Sequence, residues 1–257
     1  MKEYREKSAQ ELKSLRESGK RLGSVLEAVI QAVRPGVSTK ELDVIAEREI
    51  RAAGGIPIFK GYGSEWGKPF PASLCTSLNQ EVVHGIPSEK RILREGDLVK
   101  LDIGLRFEGM VTDMARTVAV GSVSAEAERL LRITRESLDF GIANIRAGAH
   151  LSDYARAVQG HAEQNGYAVV RDLVGHGVGH ELHEDPQVPN YFHAGIRDFT
   201  FTRGMVLALE PMINAGVLQV RIAPDGWTFV TNDGKLSAHF EDTIIVTESG
   251  TEIVTRG

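Results

Sequence analysis

Cysteine is almost absent from this chain: Cys75 is the only one in 257 residues. An internal disulfide is therefore impossible, and a reducing, cytoplasmic setting is the economical expectation. No run of eighteen apolar residues occurs, which excludes a hydrophobic membrane-spanning helix. The N-terminal "MKEYREKSAQELKSLRESGKRLG" is too charged to hold a signal-peptide core. Positive charge is not in excess either. Thirty Lys and Arg against thirty-five Asp and Glu give −5, which argues against a general phosphate-backbone binder. Low-complexity segments and residue-level repeats are missing as well. Histidine is scarce, at eight residues.

What remains is an ordinary globular composition, 42% hydrophobic and 25% charged. A chain of this length buries a core without staples, so a metal would serve chemistry rather than folding. Residues 8–33 place Leu12, Leu15, Leu22, Val25, Leu26 and Val29 near helical spacing, with "RPG" as the stop. A second helix is expected after Ser38 or Thr39, ending at Gly54–Gly55. Residues 56–72, "IPIFKGYGSEWGKPFPA", read as a loop or sheet edge. From 73 to 120 β-branched residues and turn signals predict strands. Helices are expected again over 123–145, opened by Ser122 or Ser124, and over 151–165, with short strands from 167 onward. The order helix, helix, strands, helix, helix, strands is an α+β arrangement that hints at two similar halves.

Within "VKLDIGLRFEGMVTDMARTV" the segments 98–105 and 110–119 read as the arms of a hairpin. With its turn near Phe107–Glu108, Asp102 and Asp113 are expected roughly opposite each other on one face. Two ionised carboxylates so close, among Leu101, Ile103, Val111 and Met114, force a proton onto one or a cation between them. The alternative is a polar face open to solvent. Glu210, within "MVLALEPMI", and Glu241, before "DTIIVTE", also sit in apolar surroundings where an unpaired charge costs several kcal/mol or more. Carboxylates with imidazole suit a divalent transition metal.

Three of the eight histidines crowd into "LVGHGVGHELHED" at 173–185. His180 and His183 are one residue too close for an HExxH helix, and Gly175, Gly177 and Gly179 oppose a helix there. The segment also lacks the GK[ST] ending of a phosphate loop. An extended or turning segment is left, whose glycines let the backbone come close to a site. Strand parity puts His176 and His180 on one face and His183 on the other.

Five ordered motifs carry a resemblance: "CTSLNQEVVHGIP" at 75–87, Asp102 with Asp113, "GHGVGHELHEDPQVPNY" at 175–191, "GMVLALEP" at 204–211 and "SAHFEDTIIVT" at 237–247. With the leading helices they are similar to methionine aminopeptidases of the short bacterial type, over nearly the whole chain. The resemblance implies a pita-bread α+β fold with pseudo-twofold halves, as a single catalytic domain spanning residues 1–257. It implies two divalent ions, Co, Mn, Fe, Ni or Zn, held by Asp102, Asp113, His176, Glu210 and Glu241, with Asp113 and Glu241 bridging. Glu210 would also shuttle a proton, and His84 and His183 would contact substrate and the developing tetrahedral intermediate. Tyr62, Phe70, Cys75 and Trp227 would line the methionine pocket. His180 falls where the family varies and is expected at the surface or behind the site. The loop at 63–69 is longer than usual for the family, and Leu182 replaces a common aromatic. Implied substrates are N-terminal Met peptides and nascent chains, preferring a small second residue, with a transient ribosome contact, no membrane and a monomeric state.

Two rivals stand beside this reading. Proline-specific peptidases of the same fold usually carry a large extra N-terminal domain that 257 residues leave no room for. A non-catalytic pita-bread binding module would have lost metal ligands that are all present here.

Overall fold

In the computed structural model, which describes residues 5–256, four helices flank a set of antiparallel sheets. Helix α1 spans Ala9–Gln31 and α2 spans Thr39–Ala52. Both open with a capping box, in which Ser8 pairs with Glu11 and Ser38 with Glu41, so orphan amides at each start are met reciprocally. Helices α3 (Ala125–Ala143) and α4 (Leu151–Gln164) follow; the Ser124 hydroxyl caps the first, and at the start of the second the His150 amide donates to Asp153. Of the paired alternatives in the sequence, Ser38 and Ser124 are the caps.

Strand Leu98–Phe107 is the centre of the first half. It pairs along one edge with Met110–Ala119 and along the other with Leu74–Leu78 and Ile56–Pro57. Glu108 and Gly109, both at positive φ, make the two-residue hairpin turn. Helices α1 and α2 cover this sheet through Leu22, Leu26, Leu42 and Ile50 against Leu101, Ile103 and Leu105. The second half repeats the order. Helices α3 and α4 pack Leu138, Tyr154 and Val158 onto a five-stranded sheet ordered Thr251–Ile253, Asp242–Val246, Val206–Leu209, Gly175–Gly177, Glu184–Val188. Two smaller sheets of three strands complete the fold, one of them pairing Glu81–Val83 of the first half with Phe229–Thr231.

The halves are joined at their centre. Ala115 and Glu241 exchange both backbone hydrogen bonds, at 3.3 and 3.0 Å. The buried Lys100 ammonium donates to the carbonyls of Asn79 and Ser237, at 2.7 and 2.9 Å. No described helix is long and apolar enough to cross a membrane.

Candidate metal centre

The hairpin corrects one sequence expectation. Gly104, not Asp102, faces Asp113, and Asp102 faces Ala115. The turn lies one residue later than expected, so the pairing moves by two. An even shift preserves the face, and the two carboxylates still share it as diagonal neighbours. Cys75 pairs with Asp102 from the opposite edge.

Glu210 sits at the break between strands Val206–Leu209 and Met212–Asn214, and Glu241 immediately precedes strand Asp242–Val246. His176 is held in strand Gly175–Gly177, where the glycines permit close approach. A Cβ on Gly175 would lie 2.5 Å from the Ala208 carbonyl oxygen, and one on Gly177 2.2 Å from that of Asp185. The ladder register shifts between His176 and Gly177, and Gly179 has a φ of +143°. Simple strand alternation therefore does not set the faces of the three histidines. It is His176 and His183 whose rings meet, 4.4 Å apart between centroids. His180 points elsewhere, its Nε2 2.8 Å from Glu11 at the start of α1. The neighbouring Glu184 accepts the His180 and Glu181 amides and the Lys7 ammonium, the last at 2.6 Å in a fully buried pair.

All eleven sequence-nominated residues line one cavity of about 90 Å³: Tyr62, Phe70, Cys75, His84, Asp102, Asp113, His176, His183, Glu210, Trp227 and Glu241. Phe59 and Leu182 complete its wall. Phe70 meets Trp227 edge-on at 5.4 Å, and Tyr62 meets Trp66 of the long loop at 5.5 Å. His84, at a φ of +59°, packs edge-on against Trp227 and Phe229.

The electrostatics call for bound protons or a cation. Burial raises the carboxyls of Asp102 and Glu210 to about 7, against the opposing pull of His239 and His176 respectively. Burial raises Asp113 and Glu241 further, and the neighbouring carboxylates add to it. Burial also lowers His84 to about 4 and His183 to about 2, so both imidazoles are neutral at pH 7. Asp113 Oδ1 and Glu241 Oε1 are buried without a hydrogen-bond partner. His176 Nδ1 lies 2.9 Å from the Gly177 carbonyl oxygen, which only accepts. The proton thus sits on Nδ1, and the Nε2 lone pair faces Glu210 Oε1 at 3.5 Å. Orphaned carboxylate oxygens beside a bare imidazole nitrogen form a donor set that a divalent ion satisfies. The ligand atoms of Asp113, His176 and Glu241 lie within 4.8 Å of one another.

One residue of this cluster escaped the sequence reading. His239 is buried, and its Nε2 stands 3.5 Å from Glu210 Oε2. The signal was its place two residues before Glu241, since i and i+2 of an extended chain share a face.

Residues 13–248 match the family model of metallopeptidase family M24. The methionine aminopeptidase of Clostridium acetobutylicum is 45% identical over 249 residues, 97% of each chain. Methionine aminopeptidase 1 of Bacillus subtilis is 46% identical over 252 residues, 97% of this chain and 98% of its own. Among solved structures, methionine aminopeptidase from Thermotoga maritima superposes with a TM-score of 0.93 at 39% identity, covering 98% of this chain and 99% of that one. The Xaa-Pro dipeptidase of Bacillus anthracis reaches 0.77 at 26% identity, with 98% of this chain matched to 62% of that chain.

Proposed function

Since the chain belongs to metallopeptidase family M24, and within it to the methionine aminopeptidases, we propose that it removes N-terminal methionine from peptides and nascent proteins, with a preference for a small second residue. One observation carries the proposal. Asp102, Asp113, His176, Glu210 and Glu241 converge in the same cavity as His84, His183 and the apolar wall of Tyr62, Phe70, Cys75 and Trp227. Acids, imidazoles and an apolar slot are the three parts a metal-dependent exopeptidase for a thioether side chain requires.

The five residues would hold two divalent ions. Mn, Fe, Co, Ni and Zn all accept such an oxygen-rich set. When bound, such a pair lowers the pKa of a coordinated water and polarises the scissile carbonyl. The chain's own groups do the rest. Glu210 takes the proton from the attacking water and passes it to the leaving amine. Tyr62 Oη lies 2.6 Å from His183 Nδ1. With that hydroxyl donating, His183 keeps its proton on Nε2 and donates to the carbonyl oxygen as charge develops. His84 holds the departing amide. The methionine side chain enters between Phe70, Trp227 and Cys75, where aromatic edges and a thiol suit a polarizable sulfur. A small second residue is the preference this reading carries. The chain acts as one catalytic unit, a cytoplasmic monomer that meets its substrates near the ribosome.

The test is metal analysis of protein purified without added metal, followed by reconstitution and assay on Met-Ala-Ser, Met-Leu-Ser and Ala-Pro peptides. Release of methionine from Met-Ala-Ser well above Met-Leu-Ser, with bound divalent metal, is expected. Cleavage of Ala-Pro instead would make the chain a proline-specific enzyme, and no metal with no cleavage would leave a binding module.

A further inference from the structure

The Glu210 carboxylate lies between two imidazoles, not one. Its Oε1 is 3.5 Å from His176 Nε2, and its Oε2 is 3.5 Å from His239 Nε2. These separations are too long for good hydrogen bonds. Donors about 2.1 Å from a common ion, at octahedral to tetrahedral angles, lie about 3.0–3.4 Å apart. Both contacts are close to that spacing.

His239 is 1% exposed, and neither of its ring nitrogens has a hydrogen-bond partner. A buried imidazole with two unmet nitrogens calls for an explanation. Strand Ser237–His239 fixes its direction, because His239 pairs with Met212, two residues beyond Glu210. The potential ligand atoms of Glu210, His239 and Glu241 lie within 4.8 Å of one another, as do those of Asp113, His176 and Glu241. Glu241 is common to both triads, each of which has one imidazole and two carboxylates.

We propose that His239 is a further ligand of the metal cage, giving it a second imidazole on the side of Glu210 and Glu241. The proposal rests on the paired-ion reading above. It explains why a titratable ring is sealed in the core beside two acids with nothing to bond. It also has a chemical consequence: a second nitrogen donor moves the preference of the site away from Mn and toward Co, Ni and Zn.

X-ray absorption on the intact protein loaded with two equivalents of Co(II) counts imidazoles per ion without any variant. An average of one imidazole per ion is expected, against one half if His176 alone ligates. In His239→Gln the average falls to one half, and calorimetry shows one of the two binding events weakened about tenfold or more. Thermal unfolding of the metal-free proteins checks that the variant is folded. One half of an imidazole per ion in the parent, with unchanged affinities in the variant, would overturn the proposal while leaving the paired ions standing. Uptake of fewer than two ions would overturn the paired-ion reading and this proposal with it.

Discussion

The Tyr62 hydroxyl stands 2.6 Å from Nδ1 of His183, joining the long loop before residue 70 to the imidazole that faces the cavity. Burial and the nearby Glu65 and Asp113 raise the phenol above its ordinary range, so it stays protonated and able to donate. Removing the hydroxyl frees the ring to turn and changes its tautomer. With one hydrogen bond worth about 1 kcal/mol, Tyr62→Phe should lower kcat roughly fivefold and leave KM nearly unchanged. His183→Ala should cost about 10²–10³ in kcat, the scale of losing one donor to a developing oxyanion. Steady-state kinetics on Met-Ala-Ser checks both. An unchanged kcat in His183→Ala would remove this residue from the mechanism.

Glu210→Gln keeps the shape and one oxygen donor but cannot carry a proton. Turnover should fall about 10²–10⁴-fold, the usual contribution of a positioned acid–base group. Peptide binding, measured by inhibition with a non-hydrolysable methionine analogue, should change little. Intact turnover would place the proton shuttle elsewhere.

If the orphaned oxygens of Asp113 and Glu241 hold metal as proposed, the ion should also stabilise the fold. A divalent ion at 100 times its dissociation constant adds about 2.7 kcal/mol to the folded state. For a chain of this size, that raises the unfolding midpoint by roughly 5–10 °C. Chelation should reverse the shift, and scanning calorimetry with and without Mn or Co measures it. A midpoint indifferent to metal would contradict the cage.

Lys7 and Glu184 form a buried ion pair behind the histidine loop. Glu184 also accepts the His180 and Glu181 amides, so it sets the path of the chain that carries His183. Lys7→Met should destabilise by about 3–5 kcal/mol, because it leaves a buried charge uncompensated. Adding Glu184→Gln should restore part of that loss, and denaturant titration of both singles and the double variant reports the coupling.

Glu47 on α2 accepts hydrogen bonds from Lys60, Arg51 and Ser73, and chiefly the Lys60 and Arg51 contacts hold its carboxyl near 2. A folded value below the unfolded one gives stability that is present above the ordinary glutamate range and lost as pH falls toward 2. Glu47→Gln should therefore be less stable than the parent at pH 6, and the gap should shrink by pH 3. Urea midpoints at the two pH values test it, and a gap that widens on acidification would contradict the linkage.

The helices and the acids were legible because each depends on local pattern. Ser38 and Ser124, each one of two candidates, cap where hydroxyls precede apolar periodicity, and the Asp102–Asp113 face survives a register error of two because strand parity is even. Parity failed for His176, His180 and His183, where the ladder breaks at Gly177 and Gly179 turns the backbone. His239 was missed for a different reason. Its place two residues before Glu241 puts it on that residue's face, but its contact with Glu210, 29 positions away in sequence, exists only once two strands have paired.

The donors of the centre are scattered from Asp102 to Glu241, and Ala115 is bonded to Glu241 across the seam between the halves. A growing chain therefore has no reaction centre until residue 241 has been made and docked. The cavity is thus a property of the closed pair of halves, and a fragment ending before residue 241 would lack one of its walls.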